Sequence, residues 1–328
     1  MAHPASRPDW HPERLAARLP FLAARGRLTA ATRAHFTTQG YTEVETPALV
    51  PSPGAEVHLA AFETAFRPHL GAGAARSLFL RTSPELAIKR LLAGGVGPVF
   101  ELARVWRNGE ISDRHAPEFT MLEWYRPGLS MAGMMDETEA YLRAVWPACP
   151  PLARISVAEA FDRWCGGLDI LASEGDATAL RGTGGPADES WEDGFFRLLL
   201  ERVEPHLTGF LTHWPAPQAA LARRDPADPR AALRFELFVG GLELANAFEE
   251  LTDPAEQRAR LEHDMAERVR LHGPAAAWPV DQDFLAALEH GMPAASGIAM
   301  GFDRLAMLVS GARRITDVQW LPWNSAPG

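Results

Sequence analysis

The sequence predicts an α+β fold built on a mainly antiparallel sheet. Two strand-like runs, residues 99–107 and 119–126, are neighbours joined by a polar loop, which makes a hairpin. A second pair lies within residues 233–248, around Gly240-Gly241. Helical patterns are inserted between these pairs, and neighbouring strands with inserted helices argue for α+β.

The elements follow in order. A helix covers residue 12 to about 38, with Gly40 stopping it. Residues 41–50 are extended, interrupted by Pro47. Ser83-Pro84-Glu85 opens a second helix, with serine as cap and proline in the first position, and Gly94-Gly95 closes it. After the hairpin come helices at residues 130–146 and 156–164, the latter with a Ser-x-x-Glu capping box. Residues 190–203 make a further amphipathic helix. Residues 182–188 and 223–229, rich in Gly, Pro and Asp, are loops. Asp253-Pro254-x-Glu256 starts a helix running to about His272. Residues 297–302 form a short glycine-bounded strand, and residues 303–309 begin a terminal helix.

Composition narrows the function classes. The chain has 328 residues, enough for a sizeable core in one large domain or two, and no run approaches the ~20 apolar residues of a membrane span. The N-terminus lacks the apolar core of a signal peptide. Cys149 and Cys165 are the only cysteines, too few for a disulfide framework or a thiolate metal site. A cytoplasmic protein with no membrane partner is expected. The net charge of −10 argues against gripping nucleic acid through its phosphates. Lys89 is the single lysine beside 31 arginines, a bias that reads as GC-rich coding.

Three segments concentrate chemistry. In the first, Phe119, Met121, Glu123 and Tyr125 are spaced by two, so on a strand all four face one way, as a binding floor. Arg107 stands beside them at the other strand's end, next to a loop carrying Glu110, Arg114 and His115. An arginine fork suits a phosphate and a flat phenyl ring suits a purine. The same pattern is compatible with a solvated hairpin tip. The second segment, RFELFVGGLELANAFEEL, holds Glu236, Glu243, Glu249 and Glu250 among apolar residues. Such carboxylates suit Mg²⁺ or an amine ligand. The third, GIAMGFDR, has two glycines that allow close backbone approach, with Arg304 following. No P-loop or Rossmann fingerprint is present, so nucleotide binding must come from arginines on an antiparallel sheet.

The hairpin resembles motif 2 of the class II aminoacyl-tRNA synthetases. Residues 297–308 resemble motif 3, and GYTEVETP resembles the end of motif 1. The lysyl subgroup is the most similar, through RTSPELAIKRLL, HAPEFTMLEWY and ELANAFEEL. The resemblance runs from Leu15 to Leu308. It leaves residues 1–14 as a tail and 15–328 as a single catalytic domain, without room for the anticodon-binding barrel. A stand-alone domain of this kind is similar to the elongation factor P lysine ligase family. The resemblance implies ATP-dependent activation of lysine or (R)-β-lysine and its transfer to a lysine of elongation factor P. It also implies a homodimer built through motif 1, with tRNA not a partner. A tRNA or small-molecule ligase and a non-catalytic lysine-binding paralogue are the alternatives.

The resemblance also implies residue roles. Arg107 and Arg304 are catalytic, Arg107 holding the α-phosphate and the amino-acid carboxylate and Arg304 the γ-phosphate, assisted by His115 or Arg114. Phe119 stacks on adenine, and Asn108, Glu110, Leu244 and Gly301 complete the ATP site with Glu243. Glu236 and Glu243 hold Mg²⁺. Glu85, Tyr125 and Glu250 recognise the side-chain amine, because two carboxylates offset the desolvation of one ammonium. Glu123 and Asn246 serve the other amine and the carboxylate, with Ser83, Pro84, Phe248 and Ala299 around the substrate.

Several positions depart from the family pattern. Gly109 stands where a glutamate usually reads toward adenine, Ala116 where an asparagine is usual, and Leu86 where a tyrosine is usual. Ala299 replaces a glycine of the lysyl-tRNA synthetases, as in the β-lysine ligases, and implies a preference for β-lysine. Parity poses a conflict: Glu243 is odd while Asn246, Phe248 and Glu250 are even, so either a bulge intervenes or Glu243 is not a metal ligand.

Overall fold

The computed structural model of the protein describes residues 8–54, 56–69 and 73–323. Residues 1–7 of the expected tail lie outside them. Helix α1 (Pro12–Thr38) starts with proline in its first turn and His11 accepting from the Glu13 N–H. Its buried residues, Arg18, Leu22, Arg25, Leu28, Thr32 and Phe36, recur every three or four positions and make one inward stripe. Gly40 follows at φ +80°, a left-handed conformation that ends the helix.

The extended run after α1 divides between two sheets. Strand β1 (Thr42–Glu43) joins the main sheet, whereas β2 (Leu49–Val50) pairs with β4 (Arg76–Leu80), which also pairs with β3 (Glu63–Phe66). Helix α2 (Glu85–Ala93) begins one residue later than expected, with Pro84 at its cap position. The Ser83 hydroxyl still accepts from the Glu85 N–H at 2.9 Å, but it is also committed to a carboxylate described below. The hairpin is β5 (Val99–Trp106) and β6 (Glu118–Pro127). Helix α3 (Met131–Val145) is capped by Ser130, and α4 (Val157–Trp164), after β7 (Ala153–Ser156), has the full Ser156/Glu159 capping box. Helix α5 (Trp191–Leu198) passes into one π-helical turn at Leu199–Val203 rather than continuing as α-helix.

Beyond α5, β8 (Gly209–Pro215) precedes the second hairpin, β9 (Ala231–Val239) and β10 (Leu242–Glu249). Helices α6 (Pro254–His272) and α7 (Gln282–Gly291) lead to β11 (Ala295–Gly301) and α8 (Phe302–Ser310). Strands β3, β4, β7 and β8 and helix α7 lie outside the elements read from the sequence. The strand order is β1-β5-β6-β11-β10-β9-β8-β7, antiparallel except for the parallel pairs at its two edges. Strand β11 inserts between the two hairpins and makes them one surface.

The two faces of that surface differ. On β6 the even residues Leu122 and Trp124 are fully buried beneath α1 and α3, with Trp124, Phe36 and Tyr141 in mutual ring contact. The odd residues face the other way and floor a cavity. At one end of the sheet a buried ion pair joins Arg25 of α1 to Asp303 in the first turn of α8. Arg25 also donates to the Thr120 hydroxyl on β6 at 2.8 Å, and Gln319 donates to Asp303 at 2.9 Å. This network fixes the turn that carries Arg304. Asp303→Ala would leave Arg25 buried without its counter-charge, and chemical denaturation should record a loss of about 3–5 kcal/mol.

Candidate active site

Cross-strand register builds the floor, because directly paired residues point to the same face. One row runs Glu101, Glu123, Ala299, Asn246, Glu236 across β5, β6, β11, β10 and β9. The next row runs Val99, Tyr125, Gly297, Phe248, Arg234. Above these rows is a cavity of about 520 Å³. A register shift between Glu243 and Ala245 is the bulge that parity left as one alternative, and Glu243 and Leu244 both line the cavity with Asn246 and Phe248.

The arginine-lined end gathers Arg107, Glu110, Arg114, His115, Phe119, Glu243, Leu244, Gly301 and Arg304 around the cavity. Asn108 is exposed, does not line it, and uses its N–H on the Ala60 carbonyl. The Arg107 guanidinium lies over the Phe119 ring, 5.4 Å from its centroid, and is 3.9 Å from Glu110. Its buried Nε has no hydrogen-bond partner among the described residues. This is a fork ready for an anion.

Arg304 is held more firmly. It donates to the Glu243 carbonyl at 2.6 Å, approaches the Glu243 carboxylate at 3.3 Å, and lies 2.7 Å from His115 Nε2. Burial and then the adjacent Arg304 push the His115 pKa down. The neutral ring accepts from Arg304 at Nε2 and leaves Nδ1–H for the Ser112 hydroxyl, 2.7 Å away. Gly109 sits at φ +84°, which disfavours any side chain there, and Glu110 faces the cavity instead.

Glu236 accepts from Arg234 at 2.6 Å, and Arg234 stacks on Trp214 at 4.1 Å and donates to Asn246 Oδ1 at 3.2 Å. Burial pushes Glu236 up to about 8; Arg234 opposes the shift and the negative charge of Glu243 adds to it. A divalent cation would relieve that repulsion. Among the described residues no group of three or more metal-type side chains exists. Two carboxylates fit a cation only if ligand oxygens complete its shell, an arrangement that suits Mg²⁺.

The opposite end is acidic. Ser83, Glu85, Tyr125, Asn246, Phe248 and Ala299 line the cavity; Pro84, Glu123 and Glu250 are buried behind it. Glu123 accepts from the Ser83 hydroxyl at 2.5 Å and from the Tyr125 hydroxyl at 2.9 Å. Burial, with Glu85 adding to it, pushes Glu123 up to about 8. Glycine at 297 is a packing requirement, since a Cβ would fall 2.0 Å from the Tyr125 ring and 2.7 Å from Glu250 Oε1.

Sequence reasoning passed over several residues gathered here. Lys89 joins Glu85 to Glu250, and its signal was the i,i+4 spacing from Glu85. Arg234 opens the RFEL run, two residues before Glu236. Glu192 on α5 and Asp264 on α6 reach the cavity wall only through the tertiary fold, and no local pattern marks them.

The family of tRNA synthetases class II (D, K and N) matches residues 14–325 of the chain. The elongation factor P–(R)-β-lysine ligase of Klebsiella pneumoniae (strain 342) is 42% identical over 323 residues, 94% of this chain and 96% of that protein. The ligase of the same name from Proteus mirabilis (strain HI4320) is 41% identical over 328 residues, 96% of this chain and 97% of that protein. The one from Salmonella agona (strain SL483) is 42% identical over 323 residues, again 94% and 96%.

The raised Glu123 pKa makes a signed prediction. Between the ordinary 4.5 and about 8 the folded chain keeps a proton that the unfolded chain releases. The stability that Glu123 contributes is therefore complete below the lower value and is lost as pH rises through the upper one. Glu123→Gln does not titrate. Urea unfolding across this range should show the variant gaining on the wild type as pH rises, and parallel curves would contradict the assignment.

Proposed function

The chain belongs to the class II tRNA synthetases (D, K and N), and we propose from that premise a specific reaction. It uses ATP to activate lysine, preferably (R)-β-lysine, as an aminoacyl-adenylate, and transfers the lysyl group to a lysine side chain of elongation factor P. One observation supports this reading most directly: a single cavity has an arginine-lined end and a carboxylate-lined end. A ligand with anionic phosphates at one end and an ammonium at the other matches both. The relatives of the same length and their shared name supply the acceptor.

In the first step a carboxylate oxygen of the amino acid attacks the α-phosphorus of ATP, and the bond to pyrophosphate breaks. Arg107, whose fork faces the cavity, binds the α-phosphate and the attacking carboxylate and offsets the charge that develops between them. Arg304, oriented by Glu243 and His115, binds the γ-phosphate, with Arg114 beside it. Phe119 stacks on adenine with one face, the other carrying Arg107. Glu110, Leu244 and Gly301 shape the rest of the nucleotide site. Glu236 and Glu243 would hold Mg²⁺, which when bound would offset the charge of the phosphates.

Glu85 meets the side-chain ammonium and Glu250, buried behind the floor, adds its charge from below, with Tyr125 beside Gly297, while Asn246 orients the other polar groups. In the second step the neutral ε-amine of the acceptor attacks the adenylate carbonyl. An amide forms, AMP leaves, and the amine releases its proton. The protein acts as a cytoplasmic homodimer without tRNA. Among the described residues no helix is long and apolar enough to cross a membrane.

Ala299 lies between Glu123 and Asn246 in its row, directly under the substrate end. Its methyl group reshapes the floor where a β-amino acid displaces its amine by one carbon. ATP–pyrophosphate exchange should proceed better with (R)-β-lysine than with α-lysine, and mass spectrometry should find the lysyl group on elongation factor P. Equal exchange with both isomers would refute the β-preference. Ala299→Gly should move the kcat/KM ratio toward α-lysine by about tenfold or more. Arg107→Ala should lower exchange by about 10²–10³.

A further inference from the structure

Lys89 is the chain's single lysine and lies where a charged group is costly, 1% exposed. Its Nζ is 2.6 Å from Glu85 Oε1 and 2.6 Å from Glu250 Oε2, with the Phe248 and Phe284 ring centroids 5.8 and 6.0 Å away. Glu250 is also 1% exposed, and its Oε1 has no hydrogen-bond partner among the described residues. That oxygen faces Gly297 and the Tyr125 ring at the cavity floor. Lys89 does not line the cavity, whereas Glu85 does. The layers therefore run from Lys89 behind, through two carboxylates, to the cavity in front.

The charges do not cancel: two carboxylates face one ammonium. We infer that Lys89 is a positioning residue for the amine-binding end, a permanent internal counter-cation that leaves Glu85 and Glu250 with one uncompensated negative charge. The site is then matched to a ligand side chain carrying a single positive charge. This rests on the proposed lysine-activating function. Lys89 is held protonated by its two partners against the effect of burial. Burial raises Glu250 to about 8, Lys89 opposing the shift and Glu85 adding to it, so the full charge of −1 is present above that pH, where the exchange assays below are run.

The alternative, that Lys89 merely packs α2 onto the sheet, is separated by charge counting. Lys89→Met leaves a charge of −2 behind the substrate, and Glu250→Gln leaves zero. Each should raise the KM for (R)-β-lysine in ATP–pyrophosphate exchange by about tenfold or more, with the KM for ATP little changed. The double variant Lys89→Met/Glu250→Gln restores −1, and its lysine KM should fall below that of either single variant. A packing role predicts the reverse, because the double variant loses contacts on both sides.

If Lys89→Met does not fold, Glu250→Gln alone is decisive. With Lys89 balancing Glu85, it should bind norleucine, which has a neutral side chain, as well as it binds lysine. A Glu250→Gln enzyme that still prefers lysine as strongly as wild type would overturn the inference, as would a double variant no better than the worse single one. Absence of exchange in the wild type with any lysine isomer would instead refute the proposed function itself.

Discussion

The carboxylates of Glu101, Glu123, Glu236 and Glu250 lie in the interior of the sheet, at most 8% exposed. Taking a carboxylate out of water costs several kcal/mol unless a partner or a proton replaces the lost hydration. Each of the four is answered differently, and the answers position the surrounding elements. Glu101 is paired with Arg81 at 2.8 Å and accepts from Thr46 at 2.8 Å, which ties the small sheet to the large one. Glu236 is paired with Arg234, which stacks on Trp214 of β8. Glu250 is paired with Lys89, which fixes α2 against the sheet. Glu123 has only hydroxyl donors, and burial, with Glu85 adding to it, raises its pKa against them.

This arrangement explains how one face of a sheet separates two kinds of recognition. Register puts the acidic row and the Tyr125–Gly297 row side by side, while the β10 bulge and the α8 turn bring Glu243 and Arg304 to the other end. The opposite face is consumed by aromatic packing against α1 and α3. A rigid core under the floor limits how far the floor can move, because close-packed interiors transmit displacement rather than absorb it. The Arg25–Asp303 pair extends that rigidity to the arginine-lined end.

Much of this was legible in the sequence, and for identifiable reasons. The period of two in residues 119–125 exposed the floor, and the glycine-bounded GIAMG run exposed β11. The parity conflict at Glu243 left a bulge or a wrong metal ligand as alternatives, and the register contains a bulge there. Other features were not legible. The insertion of β11 between the hairpins is a pairing between residues far apart in sequence, which local pattern does not encode. Ser83 was read as a helix cap, but its hydroxyl is shared between the Glu85 N–H and Glu123, a choice made by tertiary contact. Strand β8 is almost wholly buried and so lacks the alternation that would mark it. Lys89 was read as a product of base composition because one of its two partners, Glu250, lies far away in sequence, just beyond β10.

The scarcity of lysine then acquires a chemical meaning. An aminoacyl-adenylate acylates any accessible neutral amine, and the enzyme that makes it is the nearest protein. The only side-chain amine in this chain is enclosed, paired with two carboxylates and held protonated, so it has neither access nor a free lone pair. The arginine side chains are guanidiniums, which stay charged and do not compete as nucleophiles. A chain composed this way offers its own product no accessible lysine amine, and neither does a second copy of it. The reactive intermediate is left for a lysine presented from outside.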